Sequence, residues 1–218
     1  MKSVFLCDDD PGVRGALAFL LRQHGMQVSA HASGPELLAT LDALPPPVRG
    51  VFLLDLRMEP MGGAEVHQAL IARGLNLRNP VLFLSGHGSI ATAMASVQRG
   101  AVDFLEKPYT DDALIDRLER AFALEEKWQA EARRREFLAS LWKEVTPQQR
   151  RVALLVAAGD LNKVIAGKLE VSERMVEVHR ARLFEKLGVD SAAELATTLA
   201  SMRALAIELE PGALPTAT

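Results

Sequence analysis

The sequence is poor in cysteine and lacks long apolar runs. Cys7 is the only cysteine among 218 residues, which excludes an intramolecular disulfide and fits a reducing compartment. No stretch approaches the roughly 18 consecutive apolar residues of a membrane span. A strand pattern begins within the first few residues, which leaves no room for a signal peptide. We therefore expect a cytoplasmic protein with no membrane partner.

Charge is distributed unevenly along the chain. The net charge is −3, but residues 1–120 carry 11 Lys/Arg and 14 Asp/Glu, whereas residues 146–203 carry 9 and 7. The length allows two domains with separate cores. An acidic front and a mildly basic rear suit a metal or phosphoryl site followed by a segment that binds a polyanion.

Five short strand-like runs alternate with helical patterns in the front of the chain, and the second, 27–31, is less apolar and is expected at the sheet edge. The runs are 2–7, 27–31, 51–54, 81–84 and 102–105. Helices are predicted between them, including one at about 89–99, and a last helix starts near Thr110. This alternation predicts a parallel sheet wrapped by helices on both faces, and the pattern alone leaves the strand order open.

Polar side chains follow the ends of four of these strands. They are Asp8 and Asp9, Asp55, Ser85 and Lys107. Because the carboxyl ends of parallel strands meet at one edge of a sheet, these groups should converge. Clustered carboxylates repel, and a hard divalent cation with oxygen ligands relieves the repulsion. A single Asp after a strand would more simply cap a helix, but the whole set predicts that Asp55 accepts a phosphoryl group.

The segments that carry these groups resemble the receiver domain of bacterial response regulators. They are Cys7-Asp8-Asp9-Asp10, Asp55-Leu56-Arg57-Met58, Ser85-Gly86-His87-Gly88 and residues 100–108. The resemblance covers roughly residues 1–122 and implies a flavodoxin-like sheet of order 2-1-3-4-5. It also implies that Asp55 takes its phosphoryl group from a sensor histidine kinase.

The same resemblance implies roles for the residues around Asp55. The implied ligands of Mg²⁺ (or Mn²⁺) are Asp9, Asp55, the backbone carbonyl of Arg57 and, mostly through water, Asp8. The implied catalytic and switch residues are Lys107, Ser85 and Phe104. Arg57 and His87 fall at positions that tune how fast the phosphoryl group is lost.

One departure from the receiver pattern lies beside this site. Receivers usually place proline directly after the position of Met58, but this chain has Glu59 there and proline at position 60. Pro60 has no backbone N–H and biases Glu59 towards extended geometry. We expect a loop of different shape, with the Glu59 carboxylate as a solvated surface group; a place in the water shell of the metal stays open as the alternative.

The helical pattern that begins near Thr110 runs without Gly or Pro until Pro147. Seven positions at alternating spacings of three and four form a coiled-coil-like seam: Ala121, Leu124, Trp128, Glu131, Arg135, Leu138 and Trp142. Two of them are charged, so the seam is imperfect. A helix that pairs with a second copy and a helix that lies on its own domain both stay open. We place the receiver at 1–122 and a helical linker at 123–144.

The rear, residues 145–205, is helical by pattern. Two short helices joined by a tight turn at Val171-Ser172 suit a helix-turn-helix whose second helix enters the major groove. A four-helix bundle that binds protein fits the composition equally well. The tail 206–218 lacks periodicity, so disorder is expected there.

Four rear segments resemble the LuxR-type DNA-binding domain. They are 145–150, 162–166, 171–180 and 186–189. The resemblance implies promoter DNA as partner and a reading face of Glu177, Val178, Ala181 and Arg182. The residues expected near the DNA backbone are Lys163, Ser172, Arg174, His179 and Arg180, and Lys186 is also expected to project toward nucleic acid.

Two residues depart from the usual LuxR-type pattern. Gln149 stands where the family usually has Glu, which weakens an internal charge pair to a basic residue. Met175 replaces the usual Thr, which removes a hydroxyl near the DNA backbone.

Together the two parts resemble a transcriptional regulator of the FixJ/NarL family. The resemblance implies a phosphorylation-dependent homodimer in which Ser85 and Phe104 transmit the change to DNA binding. Such a protein catalyses at most its own phosphorylation and dephosphorylation. Haloacid-dehalogenase-type phosphatases need a second Asp where this chain has Arg57, and a flavin phosphate would be repelled by the first acidic cluster. A receiver with a helical protein-interaction domain stays open as an alternative.

Overall fold

The structure is a computed structural model that describes residues 2–86 and 100–209. The chain divides into two compact units, Met1–Ala130 and Glu131–Thr218, here called the front unit and the rear unit. The helix predicted at 89–99 and the tuning position His87 lie outside the described residues.

The front unit alternates strands and helices as predicted. Its strands are β1 Ser3–Cys7, β2 Gln27–His31, β3 Val51–Asp55, β4 Val81–Ser85 and β5 Asp103–Glu106. Its first helices are α1 Pro11–Gln23, α2 Gly34–Ala43 and α3 Gly63–Ala72, followed by a 3₁₀ turn at Leu75–Leu77. All neighbouring strands pair in parallel, in the order β2-β1-β3-β4-β5, which confirms the predicted topology.

The central strand β3 is buried along its whole length because apolar layers cover both faces of the sheet. Leu53 belongs to the layer that includes residues of α1, whereas Phe52 and Leu54 belong to the layer that includes residues of α2 and α3. Successive side chains of a strand point to opposite faces, so a continuous apolar run suits this position. The strand therefore ends with Asp55 in the middle of the carboxyl edge.

A single helix, α4, runs from Asp111 to Lys143. In the front unit, Arg49 makes two hydrogen bonds to the buried Glu125, at 3.1 and 3.2 Å, and the buried Gln129 donates to the Arg78 carbonyl at 3.4 Å. The front unit therefore includes the start of α4 up to Ala130, and the receiver end at residue 122 stays a prediction.

The predicted seam of α4 is used differently along its length. Ala121 is buried in the front core, and Leu138 and Trp142 are buried in the rear core, whereas Glu131 and Arg135 are exposed. The apolar ends of the seam are thus covered within each unit, which favours a helix that lies on its own domains.

The rear unit adds four helices: α5 Pro147–Ala157, α6 Asn162–Leu169, α7 Glu173–Leu187 and α8 Ala192–Ala204. Thr146, Ser172 and Ser191 cap α5, α7 and α8, since each side chain accepts a hydrogen bond from the backbone N–H three residues on. Leu209 is buried in the rear core. The tail for which disorder is predicted begins at residue 206, and its residues 210–218 lie outside the described part of the chain.

Among the described residues, no helix combines the length and the apolar character of a membrane-crossing segment.

Candidate phosphoacceptor site and nucleic-acid interface

Both carboxylate oxygens of Asp55 are held by hydrogen-bond donors. Oδ1 lies 2.6 Å from Lys107 Nζ, and Oδ2 accepts the backbone N–H of Arg57 at 2.9 Å. Asp55 is 7% exposed, so it sits at the surface edge of a buried strand. A side chain at Gly63 would place its Cβ 2.2 Å from the Asp55 carbonyl oxygen, which is why α3 begins with glycine so close to the site. Asp55 is therefore fixed in position, with only a small part of its surface exposed.

Asp8 shares the same ammonium from a buried position. It is 1% exposed, with Oδ2 at 3.4 Å from Lys107 Nζ and Oδ1 accepting the backbone N–H of Asp10 at 2.9 Å. Burial raises the pKa of Asp8, and the charge of Lys107 offsets only part of that effect. Burial by itself lowers the pKa of Lys107, but the hydrogen bond and charge of Asp55 outweigh it and the pKa is raised. Lys107 is therefore a cation that two carboxylates share.

The three consecutive acids after β1 have different roles. Asp10 caps α1, accepting the backbone N–H groups of Val13 and Gly12 at 2.9 and 2.7 Å, and these bonds lower its pKa. Asp9 is exposed, and its Oδ2 accepts the backbone N–H of Glu59 at 3.2 Å. Only Asp8 and Asp9 are therefore left to act with Asp55.

The chemistry of this edge fits a hard divalent cation. Asp8 and Asp55 both contact the ammonium of Lys107, and Asp9 adds a third carboxylate at the same edge of the sheet. Oxygen donors of this kind are those that Mg²⁺ prefers. Within residues 2–86 and 100–209, no three His, Cys, Asp or Glu side chains form a ready-made metal site. Mg²⁺ retains several waters and is held by one or two carboxylates, so an incomplete set of protein ligands is what it accepts.

The two residues predicted to act as a switch lie on β4, which pairs with β3, and on β5, which pairs with the far side of β4. Ser85 ends β4, is fully buried, and its hydroxyl donates to the carbonyl of Gly86 at 3.3 Å. Phe104 on β5 is the register partner of Phe83 and is half-buried against the layer that includes α2 and α3. The backbone N–H of Lys107 donates to the Ser85 carbonyl at 2.7 Å, so β4 and β5 stay paired up to the site.

A tight turn joins α6 and α7 in the rear unit. Glu170 adopts a left-handed conformation with φ 54°, and the N–H of Val171 returns to the carbonyl of Ala166 at 3.1 Å. Ser172 then caps α7 by accepting the backbone N–H of Met175 at 3.2 Å. This is the geometry of a helix-turn-helix.

Most of the residues predicted to bind nucleic acid share an exposed surface. Those that are exposed are Lys163, Ser172, Arg174, Glu177, Val178, Ala181 and Arg182. Val176, Leu183 and Leu187 lie on the opposite side of α7 and are buried in the core. The helix thus presents a polar face with two cations of its own.

Three other residues predicted to bind nucleic acid are partly buried. Arg180 Nη1 donates to Asn162 Oδ1 at 2.9 Å, and its guanidinium lies over the Phe184 ring. His179 is half-buried, with no hydrogen-bond partner for its buried Nδ1 in the part of the chain that the structure describes. Lys186 Nζ donates to the Glu144 carbonyl at 2.6 Å and to Gln149 Oε1 at 3.0 Å. The structure gives Lys186 an internal role, contrary to the prediction that it projects toward nucleic acid.

The contact with Gln149 identifies Lys186 as the basic residue of the internal charge pair that the usual Glu at position 149 would form. Gln149 Oε1 accepts from both Lys186 and the backbone N–H of Thr146, at 3.0 and 3.1 Å, and is 3% exposed. Sequence reasoning noted the missing carboxylate at position 149 but not its partner. The two residues are 37 positions apart, and no periodicity links them.

Fold and sites together define a class of protein: a regulator with a phosphoacceptor-type α/β unit in front and a helix-turn-helix behind. Residues 4–119 match the response regulator receiver domain family, and residues 143–199 match the bacterial regulatory proteins of the luxR family. The chain belongs to the response regulators that carry a LuxR-type DNA-binding domain. This family consists of transcriptional regulators, not of metabolic enzymes.

Relatives extend this match over nearly the whole chain. The chain is 41% identical over 195 residues to the tetrathionate response regulatory protein TtrR of Salmonella typhimurium, covering 89% of this chain and 90% of the relative. It is 38% identical over 194 residues to the C4-dicarboxylate transport transcriptional regulatory protein DctR of Rhodobacter capsulatus, covering 89% and 97%. The solved structure of the response regulator StyR is 32% identical with a TM-score of 0.80, covering 91% of this chain and 98% of that one. The predicted family, fold and class of function are confirmed.

Proposed function

We propose that Asp55 accepts a phosphoryl group from the phosphohistidine of a sensor histidine kinase, and that this controls dimerisation and DNA binding. One observation carries the proposal: Asp55, at the carboxyl end of β3, is paired with Lys107 at 2.6 Å within the receiver match. These partners, a kinase phosphohistidine and promoter DNA, place the protein's action in the cytoplasm.

The transfer is an in-line displacement at phosphorus. An oxygen of Asp55 forms the new bond to phosphorus, the bond to the kinase imidazole breaks, and its electron pair remains on the imidazole nitrogen. The Lys107 ammonium offsets the charge on the phosphoryl oxygens, and the backbone N–H of Arg57 keeps the carboxylate oriented. Ser85, buried at the end of the adjacent strand, supplies a hydroxyl to one phosphoryl oxygen.

We assign Asp9, Asp55 and the backbone carbonyl of Arg57 as ligands of Mg²⁺ (or Mn²⁺), with Asp8 acting through water. When bound, the ion supplies positive charge to the phosphoryl oxygens and to a cluster in which carboxylates outnumber the ammonium. The buried Asp8 keeps the Lys107 ammonium near Asp55, and the exposed Asp9 marks the solvent side of the site.

Ser85 and Phe104 transmit the phosphorylated state. A hydroxyl drawn toward the phosphoryl group leaves space near β5, and Phe104 moves into it. That movement changes the surface around β5 and lets two chains pair. Two recognition helices then reach DNA half-sites about one helical turn apart.

The exposed surface of the helix-turn-helix supplies the DNA contacts. Lys163, Ser172 and Arg174 contact the phosphate backbone, and the reading face of Glu177, Val178, Ala181 and Arg182 meets the base edges. We propose that Arg180 and His179 act near the backbone by supporting this face, because the Arg180 guanidinium is bound to Asn162.

The test is selection of bound DNA from a random pool, followed by affinity measurements with and without a small phosphodonor and across salt concentrations. We expect phosphorylation to tighten binding and added salt to weaken it. Asp55→Asn should lack the response to the donor but keep the basal binding. If neither state shows salt-sensitive binding, the rear unit is a protein-interaction domain instead.

A further inference from the structure

The backbone N–H of Glu59 donates a hydrogen bond to Asp9 Oδ2 at 3.2 Å. The bond joins two loops at the carboxyl edge of the sheet whose residues are 50 positions apart. Receivers usually have proline at this position, and proline has no N–H to donate. This chain has Glu59 there, with proline at the next position, and so gains a donor that the usual pattern lacks.

Asp9 is also fixed through its backbone. The guanidinium of Arg14, in the second turn of α1, donates from Nη1 to the carbonyls of Asp8 at 2.7 Å and Asp9 at 3.2 Å. Asp9 is exposed, so it has no core packing to select a rotamer. The Arg14 contact fixes where the residue lies, and the Glu59 N–H fixes where its carboxylate points.

We propose that the Glu59 N–H is a positioning group that holds the Asp9 carboxylate ready for a divalent cation. This inference rests on the proposed function, in which Asp9 is a metal ligand. An ionised carboxylate offers about four acceptor positions, so one N–H leaves room for a cation. Hydrogen bonds that orient a metal ligand contribute about 10-fold or more to metal affinity. The Glu59 carboxylate itself, which is exposed, has no part in the effect.

A matched pair of full-length variants isolates the N–H. Pro60→Ala keeps the donor at position 59, whereas Glu59→Pro combined with Pro60→Ala moves the proline to the usual receiver position and removes the donor. Bound Mn²⁺ is counted by electron paramagnetic resonance, with Mg²⁺ as competitor. We expect the double variant to bind Mn²⁺ about 10-fold more weakly than Pro60→Ala. Equal affinities for the pair would overturn the proposal.

Glu59→Ala separates the N–H from the side chain. It removes the carboxylate and keeps the donor, so its Mn²⁺ affinity should stay within about 2-fold of the unmodified chain, since an exposed charge contributes little. A loss as large as that of the double variant would assign the effect to the carboxylate and overturn the proposal.

A measurement on Asp9 needs no change at position 59. Amide hydrogen exchange at Glu59 should be about 10-fold faster in Asp9→Ala than in the unmodified chain, because the acceptor is gone. An unchanged rate contradicts the proposal. If the unmodified chain binds no Mn²⁺, the assigned cation site fails together with this inference. If it binds Mn²⁺ and the matched pair binds alike, only the inference fails.

Discussion

Two lysines in different units are partly buried, but the charges around them differ. Lys107 Nζ lies 2.6 Å from Asp55 Oδ1 and 3.4 Å from Asp8 Oδ2. Lys186 Nζ donates to the Glu144 carbonyl at 2.6 Å and to the Gln149 side-chain oxygen at 3.0 Å. The first ammonium is outnumbered by carboxylates, whereas the second meets neutral oxygens.

This difference separates a reaction site from a structural contact. Carboxylates in excess at the edge of the sheet leave a demand for further positive charge, which a cation satisfies. At Lys186 the ammonium links α7 to the residue after α4 and to the first turn of α5 through two neutral oxygens. The charge of the neighbouring groups therefore indicates whether such a lysine has a chemical or a structural role.

The largest expected effect comes from removing the Lys107 ammonium. Lys107→Met leaves Asp55 and the buried Asp8 without their cation. We expect the free energy of unfolding of the front unit to fall by about 2 kcal/mol at neutral pH, below the usual cost of breaking a buried pair because the Lys107 side chain is 32% exposed. Urea unfolding reports it through the fluorescence of Trp128 in a Trp142→Phe background, since the one remaining tryptophan then belongs to the front unit.

The stability that Lys107→Met loses should depend on pH in a definite direction. Burial already raises the pKa of Asp8, so the folded chain binds this proton more readily than the unfolded chain does. Stability therefore falls as pH rises through the window above the ordinary Asp pKa, and it is regained on acidification. In Lys107→Met this dependence should steepen, because the offsetting charge is absent. A loss that is equal in acid and at neutral pH would contradict the explanation by charge.

A smaller effect is expected at the second lysine. Lys186→Met removes hydrogen bonds to neutral oxygens, so the free energy of unfolding of the rear unit should fall by about 1 kcal/mol. Trp142, buried in the rear core, reports it in a Trp128→Phe background. The decrease should be the same from about pH 5 to pH 8, since neither partner titrates there. A pH-dependent decrease would mean that the two lysines are not different in kind.

The smallest effect is expected from giving Lys186 a carboxylate partner, so that its contact resembles that of Lys107. Gln149→Glu gives Lys186 a carboxylate while an oxygen still accepts the Thr146 N–H, so the rear unit should gain about 0.5 to 1 kcal/mol. The control is Gln148→Glu, one residue earlier in the first turn of α5, because it tests the favourable effect of a negative charge at a helix N-terminus. Equal gains from both variants would exclude a specific pair with Lys186.

The strands and the acidic site could be predicted because their signals are local. β3 and β4 are short apolar runs that end at Asp55 and Ser85, and Lys107 directly follows β5, so parallel pairing brings Asp55 and Lys107 together. The order of the strands came from the family resemblance and not from the pattern. The resemblance also supplied the roles of Ser85 and Phe104, which no spacing indicates.

The sequence did not predict contacts between residues that are far apart in the chain, because these depend on the direction that a side chain takes. Periodicity tells which face of α7 a residue occupies, but a long lysine chain can turn toward either neighbour, so the inward direction of Lys186 was not visible. The Arg49–Glu125 pair spans 76 positions, and the helix that carries Glu125 has no Gly or Pro to mark where the front unit ends. The hydrogen bond from Glu59 to Asp9 is donated by the backbone N–H, so side-chain chemistry does not reveal it.

The central claim is that Asp55 is the residue that carries the phosphoryl group. Its most direct test is incorporation of phosphoryl from a small acyl phosphate into the full-length chain with Mg²⁺, measured as intact mass. Asp10→Asn is the matched control, because asparagine also caps a helix. We predict one phosphoryl group on the unmodified chain and on Asp10→Asn, and none on Asp55→Asn. Equal incorporation by Asp55→Asn would contradict the account.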